Sequence, residues 1–127
     1  MVRIYSQKNS VIRQRNRGMF VYITANKINT VFYIGVTNDL LRRMYEHKNG
    51  LTEGFTKKYK VTRLVYYKEI QDNNEAIRLE KRLKKIRRSD KIRLIKSENP
   101  DMKDLSEDWE FGEPGVPVEY THFPGRY

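Results

Sequence analysis

The chain has 127 residues, no cysteine and a formal net charge of +10, from 26 basic and 16 acidic residues. This length accommodates one domain with a modest core but not two independent ones. Without cysteine, disulfide frameworks and thiolate zinc sites are excluded, so any metal must be held by oxygen or imidazole ligands.

Residues 1–18 carry five basic residues and no acidic one, and they lack sustained periodicity. We expect a flexible basic arm here, and its sequence lacks the apolar centre of a secretory signal. No apolar run approaches the roughly 18 residues of a membrane span. A soluble, cytoplasmic protein without a membrane partner is therefore expected, with a monomer as the default state.

Two runs of β-forming residues, 19–24 and 31–34, flank a turn and predict a β-hairpin. A first helix is predicted to begin near Asp39, capped by Thr37 or Asn38, and to end at Gly50. Residues 51–60 are predicted to form a basic loop with aromatic residues. Residues 62–70 predict a third strand beside the hairpin.

A second helix is predicted over residues 75–86, and a third begins at a cap on Ser89 or Asp90 and ends before Pro100. Leu105 and Trp109 are the expected anchors of the segment that follows. The fold predicted is α+β, a small three-stranded antiparallel sheet flanked by helices in the order β-β-α-β-α-α, spanning residues 19–109. Residues 110–127 are predicted to be an acidic tail rich in proline and glycine.

Charge is distributed unevenly along the chain. Residues 77–96 contain ten basic and two acidic residues, whereas residues 98–127 contain eight acidic and two basic ones. Such a basic body favours a phosphate-bearing partner, although a charge run is as often a solvated helix face.

Arg43 and His47 are four residues apart, so they share one face of the first helix. This helix follows the strand that ends at Gly35, so the face can look back towards Tyr33. Tyr22 lies on the other hairpin strand and is expected beside Tyr33. The alternative is an ordinary surface helix, with Arg42 and Glu46 paired and the other side chains solvated.

Glu80 lies inside the apolar arc predicted for the second helix, which is formed by Ala76, Ile77, Leu79, Leu83 and Ile86. One interpretation is an ion pair with Lys84 at the rim of the core. The other is a metal ligand, since Mg²⁺ commonly takes one or two carboxylates, several waters and a substrate phosphate.

These residues resemble the GIY-YIG nuclease superfamily, specifically its small stand-alone, single-domain branch. The YIG half is present as residues 33–35, and the GIY half falls on residues 20–22, which keep its tyrosine. The family arginine, eight residues past the YIG glycine, falls on Arg43, and a histidine found in many members falls on His47. The E-A-x-x-x-E-x-x-L-K-K helix spans residues 75–85, and the Asn-Pro-x-x-x-Asp-Leu segment spans residues 99–105.

The resemblance implies an endonuclease that uses Mg²⁺ or Mn²⁺ to hydrolyse phosphodiester bonds, in DNA more than RNA, in repair, recombination or restriction. Glu80 would hold the metal, Arg43 would stabilise the phosphoryl charge, and Asn99 would support the site. Tyr33, or Tyr22 with His47, would activate water, although a phenol is a poor base near neutral pH. The backbone of the nucleic acid would be held by Lys57, Lys58, Lys84, Lys85, Arg87 and Arg88. The alternatives are an inactive nucleic-acid-binding module on the same scaffold and a basic structural protein of a nucleoprotein particle.

Overall fold

The computed structural model describes residues 18–52 and 54–109. Apart from Gly18, the predicted basic arm lies outside these residues, as does the predicted acidic tail. The strands of the described part are β1 (Met19–Ala25), β2 (Phe32–Thr37) and β3 (Arg63–Ile70). Its helices are α1 (Leu40–Lys48), α2 (Phe55–Tyr59), α3 (Asn73–Lys85) and α4 (Arg88–Glu98).

The strands form one antiparallel sheet in the order β2-β1-β3, which places β1 in the centre. The Asn26 side chain organises the hairpin turn, because its Oδ1 accepts hydrogen bonds from the backbone N–H groups of Thr30 and Val31 at 2.8 and 3.0 Å. The resulting register sets Tyr22 opposite Gly35 on β2 and Tyr67 on β3. The predicted α+β fold with a three-stranded antiparallel sheet is confirmed.

Each face of the sheet buries its own apolar cluster. One face carries Phe20, Tyr22 and Leu64 and packs against α1 through Leu40, Leu41 and Met44. The other carries Val21, Ile23 and Val65 and packs against α3 and α4 through Ala76, Leu83 and Ile95. Because side chains alternate along a strand, neighbouring residues of β1 serve opposite clusters.

The segment after α4 is fastened to β3. The Leu105 N–H donates to the Leu64 carbonyl at 2.7 Å, and Trp109 is buried in the first cluster. Both residues thus anchor this segment, as predicted. None of the helices between residues 18 and 109 is long and apolar enough to cross a membrane.

Residues 51–60 are not simply a loop, because they include the five-residue helix α2. The predicted caps are also wrong in detail. Asp39 caps α1 by accepting from the Arg42 N–H, and Arg87 occupies the α4 cap position without a side-chain hydrogen bond. Ile77 is 40% exposed rather than part of the buried stripe of α3.

Candidate active site

The site begins with a close approach between β1 and β2. The Tyr22 ring lies across Gly35, so that a Cβ built on this glycine would be 2.6 Å from the Tyr22 Oη and 2.9 Å from the Tyr33 Cε2. Real carbon atoms do not approach this closely, and glycine is therefore required at this position. The YIG glycine makes room for the tyrosine of the neighbouring strand.

Two side chains of α1 converge on the Tyr22 phenol. Arg43 Nε donates to the Tyr22 Oη at 3.2 Å, and the same oxygen lies 3.2 Å from His47 Nε2. The predicted sharing of one helix face is therefore observed, with both side chains in contact with Tyr22. Tyr33, the predicted point of convergence, instead contributes ring contacts, with its centroid 5.8 Å from that of His47 and 6.2 Å from that of Tyr22.

Burial shapes the protonation of this cluster. It raises the pKa of the Tyr22 phenol well above its usual range, although the neighbouring Arg43 charge acts in the opposite direction. Burial, followed by the Arg43 charge, lowers the pKa of His47 to about 4. His47 is therefore neutral at physiological pH. Because Arg43 can only donate, the phenol proton is available to His47 Nε2.

The other ring nitrogen of His47, Nδ1, is buried and has no hydrogen-bond partner among the described residues. Buried polar atoms usually have a partner, which can be an ordered water as well as a protein group. The His47 ring also lines an open pocket of about 260 Å³. Tyr33, Arg43 and Glu46 lie on the same pocket wall. Arg43 and His47, which hold the Tyr22 phenol, thus also border an open space.

Glu46 holds Arg43 in place and was not predicted as a site residue. Its carboxylate pairs with Arg43 Nη1 at 3.2 Å and also with Arg42 Nε at 3.2 Å. The i,i+4 spacing predicts only the pair between Glu46 and Arg42. The i,i+3 spacing to Arg43 was the signal that indicated the second pair.

Glu80 comes from the opposite side of the sheet. Helix α3 packs on β1 and β2 over the second cluster, and the Glu80 side chain is 15% exposed. Its carboxylate pairs with Lys84 Nζ at 2.7 Å, which is the ion pair that the sequence offered as one alternative. The contacts of the described residues do not join Glu80 to Tyr22, Arg43 or His47.

A divalent cation at Glu80 would have few other protein ligands. No group of three or more histidine, aspartate or glutamate residues that can hold a metal occurs within residues 18–52 and 54–109. Mg²⁺ can nevertheless be held by one carboxylate when waters and a phosphate complete its shell. Glu80 already accepts a cation, the Lys84 ammonium, and its hard oxygen donors fit such an ion.

Asn99 lies at the end of α4, where it braces the backbone. Its Nδ2 donates to the carbonyls of Val65 and Lys103 at 3.0 and 2.9 Å, and its Oδ1 accepts from the Lys103 N–H at 3.1 Å. These bonds tie the segment after α4 to β3. Both the Nδ2 and the Oδ1 of Asn99 are therefore engaged in contacts with the backbone.

The predicted nucleic-acid-binding residues fall into two groups. Lys57 and Lys58 are exposed on α2, beside the pocket that Tyr33 and His47 line. The second group lies along α3 and the start of α4 and consists of Lys84, Lys85, Arg87 and Arg88. Within it, Arg88 stacks over the Phe32 ring at 4.9 Å and donates to the Asn29 carbonyl at 3.0 Å.

Comparison with known proteins identifies the family. Residues 18–93 match the GIY-YIG catalytic domain. The chain belongs to the GIY-YIG family. This is a nuclease family, so the predicted superfamily is confirmed and a nucleic-acid substrate is indicated. The match begins at Gly18 and runs from β1 to the middle of α4.

The GIY-YIG relatives are small proteins. UPF0213 protein CPE1444 of Clostridium perfringens is 34% identical over 80 residues, which cover 63% of this chain and 85% of the relative. A UPF0213 protein of Pediococcus pentosaceus is 27% identical over 88 residues, which cover 69% of this chain and 92% of the relative. The solution NMR structure of UPF0213 protein BH0048 from Bacillus halodurans is 26% identical, covers 73% of this chain and 99% of that one, and gives a TM-score of 0.46.

Proposed function

We propose that this GIY-YIG protein is a metal-dependent endonuclease that hydrolyses phosphodiester bonds in DNA. The observation that carries the proposal is the convergence of Arg43 and His47 on the Tyr22 phenol, beside a pocket that Tyr33 lines. Packing alone does not require a buried phenol to be held by both a guanidinium and an imidazole. An ordinary surface helix would leave both side chains in solvent.

Arg43 is suited to stabilise the negative charge that develops on the phosphoryl oxygens. Its Nε and Nη1 are held by Tyr22 and Glu46, so the guanidinium is fixed while other N–H donors stay available. Donors that are fixed before the reaction need no reorganisation as charge develops. Glu46 and Tyr22 are therefore proposed as positioning residues for Arg43.

Tyr33 is proposed to contact the substrate and to orient the attacking water. Tyr22 is fully buried and its pKa is raised, so it is unsuited to take a proton from water. His47 is neutral at physiological pH. Because its Nε2 is the acceptor available to the Tyr22 phenol, the ring proton lies on Nδ1, and His47 is proposed to assist Tyr22 by holding the phenol in place. Glu80 would hold Mg²⁺ or Mn²⁺, whose charge would neutralise the scissile phosphate. Asn99 is proposed to support the site by fixing the segment after α4.

The predicted domain limits are also kept as a proposal. The family match ends at residue 93, but Leu105 and Trp109 pack on the same core as Tyr22. We therefore place the functional domain at residues 19–109, between the basic arm and the acidic tail. The proposed setting in the cell is DNA repair, recombination or restriction.

The test is cleavage of labelled duplex, nicked, branched and single-stranded DNA with Mg²⁺ or Mn²⁺. Arg43→Ala is matched by Arg42→Ala, because both arginines pair with Glu46 and only Arg43 contacts Tyr22. Removal of one preorganised donor to developing charge typically costs about 10²- to 10³-fold in rate. We expect that loss for Arg43→Ala and near wild-type cleavage for Arg42→Ala.

The metal assignment has its own control on α3. Glu80→Gln is expected to abolish the metal-dependent rate, whereas Glu75→Gln, at an exposed position of the same helix, should preserve it. Equal cleavage by wild type and Glu80→Gln would refute the role of Glu80. If no substrate is cut, the result favours the second candidate function, which is a nucleic-acid-binding module without catalysis. Its binding would survive Arg43→Ala and Glu80→Gln and would need no metal.

A further inference from the structure

Helix α2 exposes two aromatic rings beside the proposed active site. Phe55 and Tyr59 are 47% and 43% exposed, and their centroids are 4.8 Å apart. The Phe55 ring also lies 6.4 Å from that of Tyr33, with an interplanar angle of 31°. The rings of His47, Tyr33, Phe55 and Tyr59 thus form a row from the pocket to the surface.

Lysines surround the outer end of this row. Lys58 Nζ lies 5.4 Å from the Tyr59 centroid. Behind Tyr59 runs an open groove of about 740 Å³, whose wall includes Lys27, Lys57 and Lys60. None of the described residues that line this groove is acidic. Exposed rings next to these lysines fit a ligand that has both flat apolar faces and negative charge.

We propose that α2 is a platform for unpaired nucleotides, whose bases stack on Phe55 and Tyr59 while the phosphate backbone follows the lysine groove. Single-strand-binding proteins combine these two elements, aromatic rings for stacking and a positive groove for the backbone. A duplex hides its base faces in its own stack, so only an unpaired segment can use the rings. This inference builds on the proposed nuclease function: the substrate class is nucleic acid with a single-stranded segment next to the cleavage point.

The test measures binding without cleavage. Fluorescence anisotropy in EDTA, at one fixed salt concentration, compares a labelled single strand of about 12 nucleotides with the corresponding blunt duplex. The variants are Phe55→Ala, Tyr59→Ala and Tyr59→Phe. Ile77→Ala is the matched control, since it truncates a hydrophobic side chain of similar exposure, 40%, on α3.

Each alanine variant on α2 is expected to bind the single strand roughly 5- to 150-fold more weakly, the range for loss of one stacked base. Duplex affinity should change by less than about twofold, because contacts to the phosphates are kept. Tyr59→Phe should retain single-strand affinity, since it keeps the ring. Ile77→Ala should match wild type on both ligands.

Two results would overturn the platform. The first is that the alanine variants lose affinity for the single strand and for the duplex by the same factor. The second is that Phe55→Ala and Tyr59→Ala both bind the single strand as tightly as wild type does. Sedimentation velocity addresses another occupant, a second copy of the chain: self-association that Tyr59→Ala abolishes, with single-strand affinity unchanged, refutes the proposal. Because the assay contains no metal, its outcome is independent of whether Glu80→Gln abolishes cleavage.

Discussion

The buried imidazole of His47 should make the stability of the protein depend on pH. Its pKa is lowered from 6.5 to about 4 in the folded state, so the unfolded state takes up the proton first as pH falls. Above pH 6.5 the ring is neutral in both states and contributes no pH dependence. Stability is then lost between about pH 6.5 and pH 4, by about 3 kcal/mol in total, at 1.36 kcal/mol per pKa unit.

The useful window is pH 7 to pH 5, where His47 should account for about 2 kcal/mol of the loss and most carboxylates stay ionised. The measurement is urea unfolding at steps across this range, for wild type and His47→Gln. Glutamine cannot take up a proton in this range, so the variant should show a flatter dependence of unfolding free energy on pH. The comparison uses slopes, which cancels any constant cost of the substitution. Parallel curves for wild type and His47→Gln would refute the reasoning, because they would mean that the His47 ring is not desolvated by its packing against Tyr22 and Tyr33.

Two further predictions concern residues that shape the site indirectly. Gly35→Ala places a Cβ 2.6 Å from the Tyr22 Oη, so thermal or urea unfolding should show a loss of about 1–3 kcal/mol, and a loss below that range would mean that the Tyr22 ring can move aside. Asn99→Ala removes three hydrogen bonds to the backbone of Val65 and Lys103. The same measurement should show about 2–3 kcal/mol of destabilisation, and near wild-type stability would contradict the bracing role.

The strands and the longer helices could be predicted because each has a periodic apolar pattern. Helix α2 could not, because five residues hold one buried side chain, Thr56, and one residue defines no period. The assignment of Ile77 to the buried stripe of α3 was wrong because of its angular position on the helix. The packed stripe of α3 runs through Ala76, Leu79, Leu83 and Ile86, and Ile77 lies about 100° away from Ala76 around the helix.

The contacts of Tyr22 with Arg43 and His47 could not be predicted from residue spacing alone. Spacing on α1 correctly put Arg43 and His47 on one face, but the tyrosine that meets them depends on the hairpin register. A shift by one residue would exchange the faces of β2 and move Gly35 away from Tyr22. The register is set by the Asn26 turn, which was recognised only as a turn.

The hardest feature to read from the sequence was the relation between Arg43 and Glu80, which the family pattern unites in one site. Arg43 lies on the helix that covers one face of the sheet, and Glu80 lies on the helix that covers the other. A route between the two faces must pass around an edge strand, and β2 is the edge strand on which α3 packs. The two side chains therefore need not touch. In the proposed function each would act on the same phosphate group, Arg43 directly and Glu80 through the metal ion that it would hold.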